Sequence, residues 1–126
     1  MKKLILLFIL TLTQLFSYST NVKAAYAIGI FDESGNGENI QHVRKTKSDY
    51  NNTCFTKVFV VGTMLKIKPK VLIGDSKGHY QSSKPIYNNR KIKIGEVLIY
   101  KHFAVKKGYL KVIFRNKLYD SKVYVK

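Results

Sequence analysis

Alternation of apolar and polar side chains is the feature that most restricts how this chain can fold. Between Thr63 and Ile73 every second residue from position 65 is apolar or proline, and lysines lie between them at positions 66, 68 and 70. A period of two places successive side chains on opposite faces of a β-strand. The segment is therefore predicted to be one strand with a buried face and a wet face. Pro69 lacks the amide proton that a ladder needs, which predicts an edge strand or a bulge there.

Short strands are predicted at regular intervals along the rest of the chain, separated by turns rich in Gly, Asn and Asp. On one of them, Phe55, Phe59 and Val61 fall on the same face. Gly95 is predicted to interrupt another, and the polar segment 79–85 is predicted to be a loop. The predicted strands are residues 26–31, 55–61, 91–94, 96–103, 109–115 and 118–125.

Residues 38–50 are the ambiguous part of the pattern. Ile40, Val43, Lys47 and Tyr50 have helical spacing, but the β-branched and Asn content disfavours a helix. The short strands predict an all-β fold, built as a single small β-sandwich of the immunoglobulin type or as a barrel. A β domain with one short helix near 38–50 is the alternative.

The first 24 residues have the pattern of a secretory signal peptide. Two lysines precede an apolar run from Leu4 to Phe16, and Val22 and Ala24 suit positions −3 and −1 of a cleavage site. The run is shorter than the roughly 20 residues that span a membrane, which disfavours an uncleaved anchor. We expect residues 1–24 to be removed and residues 25–126 to be exported as one β-rich cationic domain, in solution or at the cell wall.

Charge is distributed unevenly along the predicted mature chain. Residues 25–49 carry three basic and four acidic side chains, whereas residues 50–126 carry 17 basic and three acidic ones. The 45% hydrophobic content excludes a disordered basic tail, because there is enough apolar surface for a core. This asymmetry predicts a cationic face rather than a uniformly basic surface.

Five lysines are the predicted binding residues. Lys66, Lys68 and Lys70 would point the same way from one strand, with roughly 6.6–6.8 Å between successive side chains. Lys91 and Lys93 repeat the pattern on another predicted strand. If the two strands are neighbours, five ammonium groups share one face and could follow an anionic polymer. The alternative is that lysines on an edge strand only prevent edge-to-edge aggregation.

Tyrosines are interleaved with the basic residues of the second half of the chain. Tyr109 shares a strand face with Lys111, and Tyr124 shares one with Lys122. We expect these two rings to be the more exposed ones, where a base or a sugar could stack.

Few residues are candidates for catalysis. Glu38, His42 and Arg44 are close enough in sequence to form an acid–base group such as a small ribonuclease uses. The three histidines lack metal-ligand spacing and no phosphate-binding loop is present, so no metal and no cofactor are expected. The single cysteine, Cys54, is interpreted as a buried apolar side chain or as a thiol that links two chains.

The segment Gly35–Ile40, followed by Thr46, Asp49, the stretch 58–60 and Gly62, resembles the first half of a family of small exported proteins of Gram-positive bacteria and their prophages. Members of that family are uncharacterised. The resemblance implies export and adds no chemistry.

Together these features predict a secreted, non-enzymatic binding protein. Its cationic face would engage an extracellular polyanion, which could be a cell-wall polymer, a glycan or nucleic acid. An acidic protein is the other kind of partner expected, and no stable membrane insertion is expected after cleavage. Two alternative functions stay open: a secreted toxin or antimicrobial such as a small ribonuclease, and a protein-binding inhibitor module.

Overall fold

Residues 21–126 are described by a computed structural model and contain nine β-strands and no helix. The strands form two antiparallel sheets: sheet A in the order β2-β1-β3-β7-β6, and sheet B in the order β5-β4-β8-β9. The strands are β1 Asn21–Asp32, β2 Gly37–Asn39, β3 Asn52–Thr63, β4 Lys70–Ile73, β5 Ser76–Lys77, β6 His79–Tyr87, β7 Lys93–Val105, β8 Gly108–Phe114 and β9 Lys117–Val125.

This architecture confirms the all-β prediction and is that of a small β-sandwich. Neither sheet closes on itself within residues 21–126, so the barrel alternative is not realised there. Residues 1–20 of the predicted signal peptide lie outside the described residues. Its last four residues, 21–24, form the beginning of β1, where they pair with residues 61–63 of β3.

The core is a single layer of aliphatic side chains between the two sheets. Val58, Val60 and Leu98 project from sheet A and are completely buried. They face side chains of sheet B that are also fully or almost fully buried. The sheet B side chains are those of Val71, Ile73, Leu110, Val112, Phe114, Val123 and Val125. Because neighbours alternate along each strand, every second side chain lies on an outer face in contact with solvent.

A buried carboxylate links the two sheets. Asp120 on β9 is 7% exposed, and its Oδ2 accepts a hydrogen bond of 3.0 Å from the backbone N–H of Ala27 on β1. The backbone N–H of Lys122 donates to the other carboxylate oxygen over 3.3 Å. Asp120 therefore satisfies a backbone donor at the edge of sheet A that the strand ladder does not reach.

The short helix considered for residues 38–50 is absent from the structure. After β2 the chain runs beside β9, where the N–H of Thr46 donates to the carbonyl of Tyr124 and the N–H of Tyr124 donates to the carbonyl of Arg44. Ile40 and Tyr50 are buried at the two ends of this segment. Their spacing reflects two anchoring points of an extended loop rather than one face of a helix.

The predicted strand 63–73 is wrong over most of its length. β3 ends at Thr63, residues 64–69 form a turn and a connection, and β4 begins only at Lys70. Leu65 has a positive φ of 59° and is exposed, although the alternating pattern placed it on a buried face. The chain crosses here from sheet A to sheet B, and the Tyr100 hydroxyl donates to the carbonyl of Pro69 over 2.7 Å.

Two further predictions are corrected. The segment 79–85 belongs to β6, an edge strand of sheet A, and lacks alternation because both of its faces are exposed. Gly95 does not interrupt a strand but lies within β7, where a Cβ would be 2.1 Å from the carbonyl oxygen of Val60.

The last predicted hairpin is confirmed, and its turn residues Arg115 and Asn116 both have positive φ, as in a type I′ turn.

We predict that Asp120→Ala destabilises the domain by about 1–3 kcal/mol, because it leaves the buried N–H of Ala27 without an acceptor. Denaturant unfolding measures this loss. Asp120→Asn keeps an acceptor oxygen and should lose less, and Asp75→Ala in the exposed β4–β5 turn should change stability little. Equal stability of the Asp120→Ala and Asp75→Ala variants would show that the link between the sheets contributes nothing.

Candidate functional site

The five predicted binding lysines do not form a row. Lys66 lies in the turn after β3, Lys68 in the connection to β4, and Lys70 is the first residue of β4. Lys91 lies in the β6–β7 turn with a φ of 62°, and Lys93 is the first residue of β7. The predicted arrangement of Lys66, Lys68 and Lys70 on one strand face is wrong because residues 64–69 are not extended. The prediction that Lys91 and Lys93 lie on one strand face is also wrong, because Lys91 lies in a turn and β7 begins only at Lys93.

Two of these lysines meet at a carboxylate. The ammonium of Lys93 is 3.0 Å from Oε1 of Glu96, and that of Lys68 is 3.9 Å from Oε2. The Lys68 ammonium also lies 5.3 Å from the centre of the Tyr80 ring. Lys68 and Lys93 therefore belong to a local ion-pair network, and their charge is partly neutralised by Glu96.

The positions of the seven acidic side chains decide where positive charge is left uncompensated. Asp120 is buried, Glu96 is paired with lysines, and Glu38 binds the loop that follows β2. The other four lie at a strand end, in turns or in a loop: Asp32, Glu33, Asp49 and Asp75. Within the described chain, the strand registers place none of the seven on the outer face of either sheet.

The outer face of sheet B carries four lysines, which we call the lysine face: Lys70, Lys77, Lys111 and Lys122. Leu72 on β4 pairs with Lys77 of β5 on one side and with Lys111 of β8 on the other. Lys122 on β9 lies in the irregular stretch opposite Lys111. Neighbouring strands are about 4.8 Å apart, so the ammonium groups are spread across a surface roughly 15 Å wide.

Two tyrosines border the lysine face. Tyr109 on β8 pairs with Tyr124 on β9, and their ring centres are 5.3 Å apart in an edge-to-face arrangement. Tyr109 is 52% exposed, as its shared face with Lys111 predicted. The same prediction is wrong for Tyr124, which is half-buried and less exposed than Tyr80 and Tyr87. One ring is therefore available for contact with a ligand, and the other supports it.

The outer face of sheet A carries two pairs of aromatic rings. Phe31 on β1 and Phe55 on β3 are stacked, with ring centres 5.0 Å apart and planes within 5° of parallel. Tyr26 and Phe59, on the same two strands, have ring centres 5.7 Å apart. All four rings are partly exposed.

Two lysines lie among these rings. The ammonium of Lys57 is 5.6 Å from the centre of the Phe31 ring, and that of Lys101 is 5.6 Å from Phe55 and 5.1 Å from Phe103. We call this surface the aromatic face: Tyr26, Phe31, Phe55, Lys57, Phe59 and Lys101.

The aromatic face could be predicted only in part. The alternating pattern correctly placed Phe55 and Phe59 on one side of their strand. Their partners Phe31, Tyr26 and Lys101 come from strands distant in sequence, and only the strand register shows that they are neighbours.

The carboxylate of the predicted acid–base group, Glu38, has a structural role. Glu38 accepts hydrogen bonds from the backbone N–H groups of Lys47 and Ser48 and from the Tyr50 hydroxyl, over 2.8, 3.1 and 2.8 Å. Burial raises the pKa of Glu38, but these hydrogen bonds outweigh it and leave the pKa lowered. His42 is exposed, and no hydrogen bond or ion pair joins it to Glu38 in residues 21–126. Because the carboxylate oxygens already hold three donors, the geometry does not favour the ribonuclease hypothesis.

Two other reactive side chains are enclosed in the core. Cys54 is completely buried and free, and burial raises its pKa to about 12, so the thiolate is scarce at neutral pH. A disulfide between two chains through Cys54 would require the sheet to open.

His102 is also completely buried. Its Nδ1 is 3.3 Å from the carbonyl oxygen of Ser76, and its Nε2 is 2.9 Å from the Thr56 hydroxyl. Since a carbonyl oxygen only accepts, Nδ1 carries the proton of the neutral ring and Nε2 accepts from Thr56. Burial lowers the pKa of His102 to about 4.

Comparisons with known proteins add no assignment. No protein-family model matches this sequence, and no curated protein or solved structure matches it significantly. The resemblance to small exported proteins therefore stays a prediction. In residues 21–126 no group of three His, Cys, Asp or Glu side chains could hold a metal ion. That part of the chain also has no helix with the length and apolar character of a membrane span.

We predict that acid destabilises the domain through His102. Its pKa is lowered from 6.5 to about 4 in the folded chain, so the unfolded chain binds more protons between these values. The contribution of His102 to stability should be constant above about pH 7 and lower by about 2 kcal/mol at pH 5. Denaturant unfolding at the two pH values measures the difference. The control His42→Gln, at an exposed site, should leave this stability difference unchanged. A wild-type stability that does not fall between pH 7 and pH 5 would contradict this role of His102.

Proposed function

We propose that this protein is exported and binds an anionic polymer outside the cell through its lysine face, without catalysis. The observation that carries the proposal is the placement of charge. Four lysines share the outer face of sheet B, and none of the seven acidic side chains lies on it. The predicted mature chain has 20 basic and seven acidic residues, so the wider field of the molecule attracts the same ligands.

Release of counterions is the physical basis of the proposed binding. Each ammonium group that neutralises a phosphate or sulfate frees condensed cations from the polymer. Lys70, Lys77, Lys111 and Lys122 give four such contacts. We therefore expect log K to fall with log salt with a slope of about −3 for a single-stranded polymer.

The sequence-predicted lysines have different parts in this proposal. Lys70 belongs to the lysine face. Lys66 and Lys91 are exposed charges outside it and would contribute through the general field. Lys68 and Lys93 are held at Glu96 and would contribute least.

We predict that replacing Lys70, Lys77, Lys111 and Lys122 together by Gln weakens retention on heparin, polyphosphate and purified cell walls by at least about tenfold. The measurement is retention over a salt gradient, with folding verified by circular dichroism. The control replaces four exposed lysines outside both outer faces by Gln: Lys47, Lys66, Lys91 and Lys106. It removes the same charge and should weaken retention less.

Two results would contradict this proposal. Equal losses in the two variants would mean that net charge, and not the lysine face, determines binding. No retention of the wild-type protein on any of the three polymers would reject polyanion binding and direct the search toward a specific protein target.

Export is tested separately. We predict that the protein released from a Gram-positive host begins at Ala25, because Val22 and Ala24 occupy the small-residue positions of the cleavage site. Mass spectrometry of the released chain measures its N-terminus. Retention of the full chain in the cells would contradict export.

A further inference from the structure

We propose that the aromatic face of sheet A binds single-stranded nucleic acid, with unpaired bases stacked on its rings and phosphates held by Lys57 and Lys101. This inference deepens the proposed function by naming one class of polyanion. The inferred site lies on sheet A, whereas the lysine face lies on sheet B, and it uses aromatic rings as well as charge.

The strand registers place rings and lysines in rows across sheet A. One row runs from Phe31 through Phe55 to Lys101. Two positions further along β3 lies Lys57, and its pairing partner on β1 is Gly29. The next row of rings runs from Tyr26 through Phe59 and Val97 to Lys84 on β6. Each row that contains a ring pair therefore also contains a lysine, and the first row continues past Lys101 to His79 on β6. That last row is defined by the pairs Tyr26–Phe59, Phe59–Val97 and Val97–Lys84.

Gly29 makes room for the Lys57 side chain beside the stacked rings. It has no side chain, and the aliphatic part of Lys57 lies next to it, with carbon atoms about 3.5 Å from where a Cβ would be. Around it is a pocket of about 600 Å³ whose lining includes Phe31, Lys57 and Asn39. Phe55 and Phe59 are four residues apart on β3, which corresponds to about 13 Å along the strand. The two aromatic pairs are thus separated by the row of Gly29, Lys57 and Ile99, and each pair offers its own stacking surface.

The distances between ammonium groups and rings match what a nucleotide presents. Lys57 and Lys101 are 5.1–5.6 Å from ring centres, so a phosphate held by either lysine brings its attached base next to an aromatic ring. Stacking on aromatic side chains tolerates any base, because every base has a π face. A duplex keeps its bases stacked and paired, so it offers none to these rings.

The polar groups that recognise sugars are scarce at the centre of this face. Recognition of sugar hydroxyls uses carboxylate or amide groups that donate and accept hydrogen bonds. Around the rings, the outer positions of β1, β3 and β7 carry no Asp, Glu, Asn or Gln, whereas Asn39 on β2 lies opposite Gly29 and adds an amide at one edge of the face. Rings and ammonium groups suffice for a charged strand of stacked bases.

The experiment compares ligands that share charge but differ in rings. Fluorescence anisotropy measures binding of labelled oligo(dT) of about twelve nucleotides, with polyphosphate, duplex DNA and heparin as unlabelled competitors. The variant Phe31→Leu/Phe55→Leu keeps apolar side chains and should bind oligo(dT) at least about fivefold more weakly. Its affinity for polyphosphate should be unchanged. Lys57→Gln/Lys101→Gln should weaken oligo(dT) binding without touching the core.

Tyr87→Leu is the matched control, because this ring is 57% exposed and belongs to neither the aromatic face nor the lysine face. It should leave oligo(dT) binding unchanged. If Phe31→Leu/Phe55→Leu binds oligo(dT) as the wild type does, the inference is overturned, while the lysine-face proposal stands as long as polyphosphate binds. Heparin binding that is lost in the same variant would assign the face to sugar rings instead. A concentration-dependent dimer that the variant abolishes in sedimentation would assign it to a second copy of this chain.

Discussion

Every outer surface of this domain depends on one constraint: two sheets that share a single buried layer leave each strand with one face in the core and one in water. The aliphatic layer formed by residues such as Val58, Leu98 and Leu110 fixes which side chains are inside. The side chains that alternate with these along each strand must then lie on the outer faces. The same register that buries valines on β3 therefore presents Phe55 and Lys57 to solvent, and the two binding proposals are consequences of how the core is packed.

Three of the seven carboxylates bind backbone groups or nearby lysines, and this helps to explain why the lysines on the two outer faces have no acidic neighbours on those faces. Asp120 accepts a hydrogen bond from the backbone of β1, and Glu38 accepts hydrogen bonds from the loop beside β9. Glu96 forms ion pairs with Lys68 and Lys93. A chain with so few acids that uses them at buried or local sites has none for its outer faces. The uncompensated charge is thus a property of placement as well as of composition.

The sequence predicted local structure well wherever one face of a strand is buried. The faces of residues 55–61 and the final hairpin were correct because alternation and turn residues report directly on burial. The prediction failed at 63–73, where lysines alternate with apolar residues in a crossing between sheets, and at 79–85, where neither face is covered. The lysine and aromatic faces combine side chains from strands far apart in sequence. Register over such distances is set by the whole core, so no local pattern could show these neighbours.

The unequal width of the two sheets has a consequence for motion. Sheet A has five strands and sheet B four, and no strand of sheet B covers β6, whose residues are almost all exposed. Its ladder with β7 and the contact of Tyr80 with Lys68 hold it, so it contributes little to the buried apolar surface that makes unfolding cooperative. Hydrogen exchange should therefore be fastest along β6, which could detach and reattach while the remainder of the sandwich stays folded. The side of sheet A where Lys84 lies would then be adaptable, and the side where Phe31 and Phe55 are stacked would stay rigid.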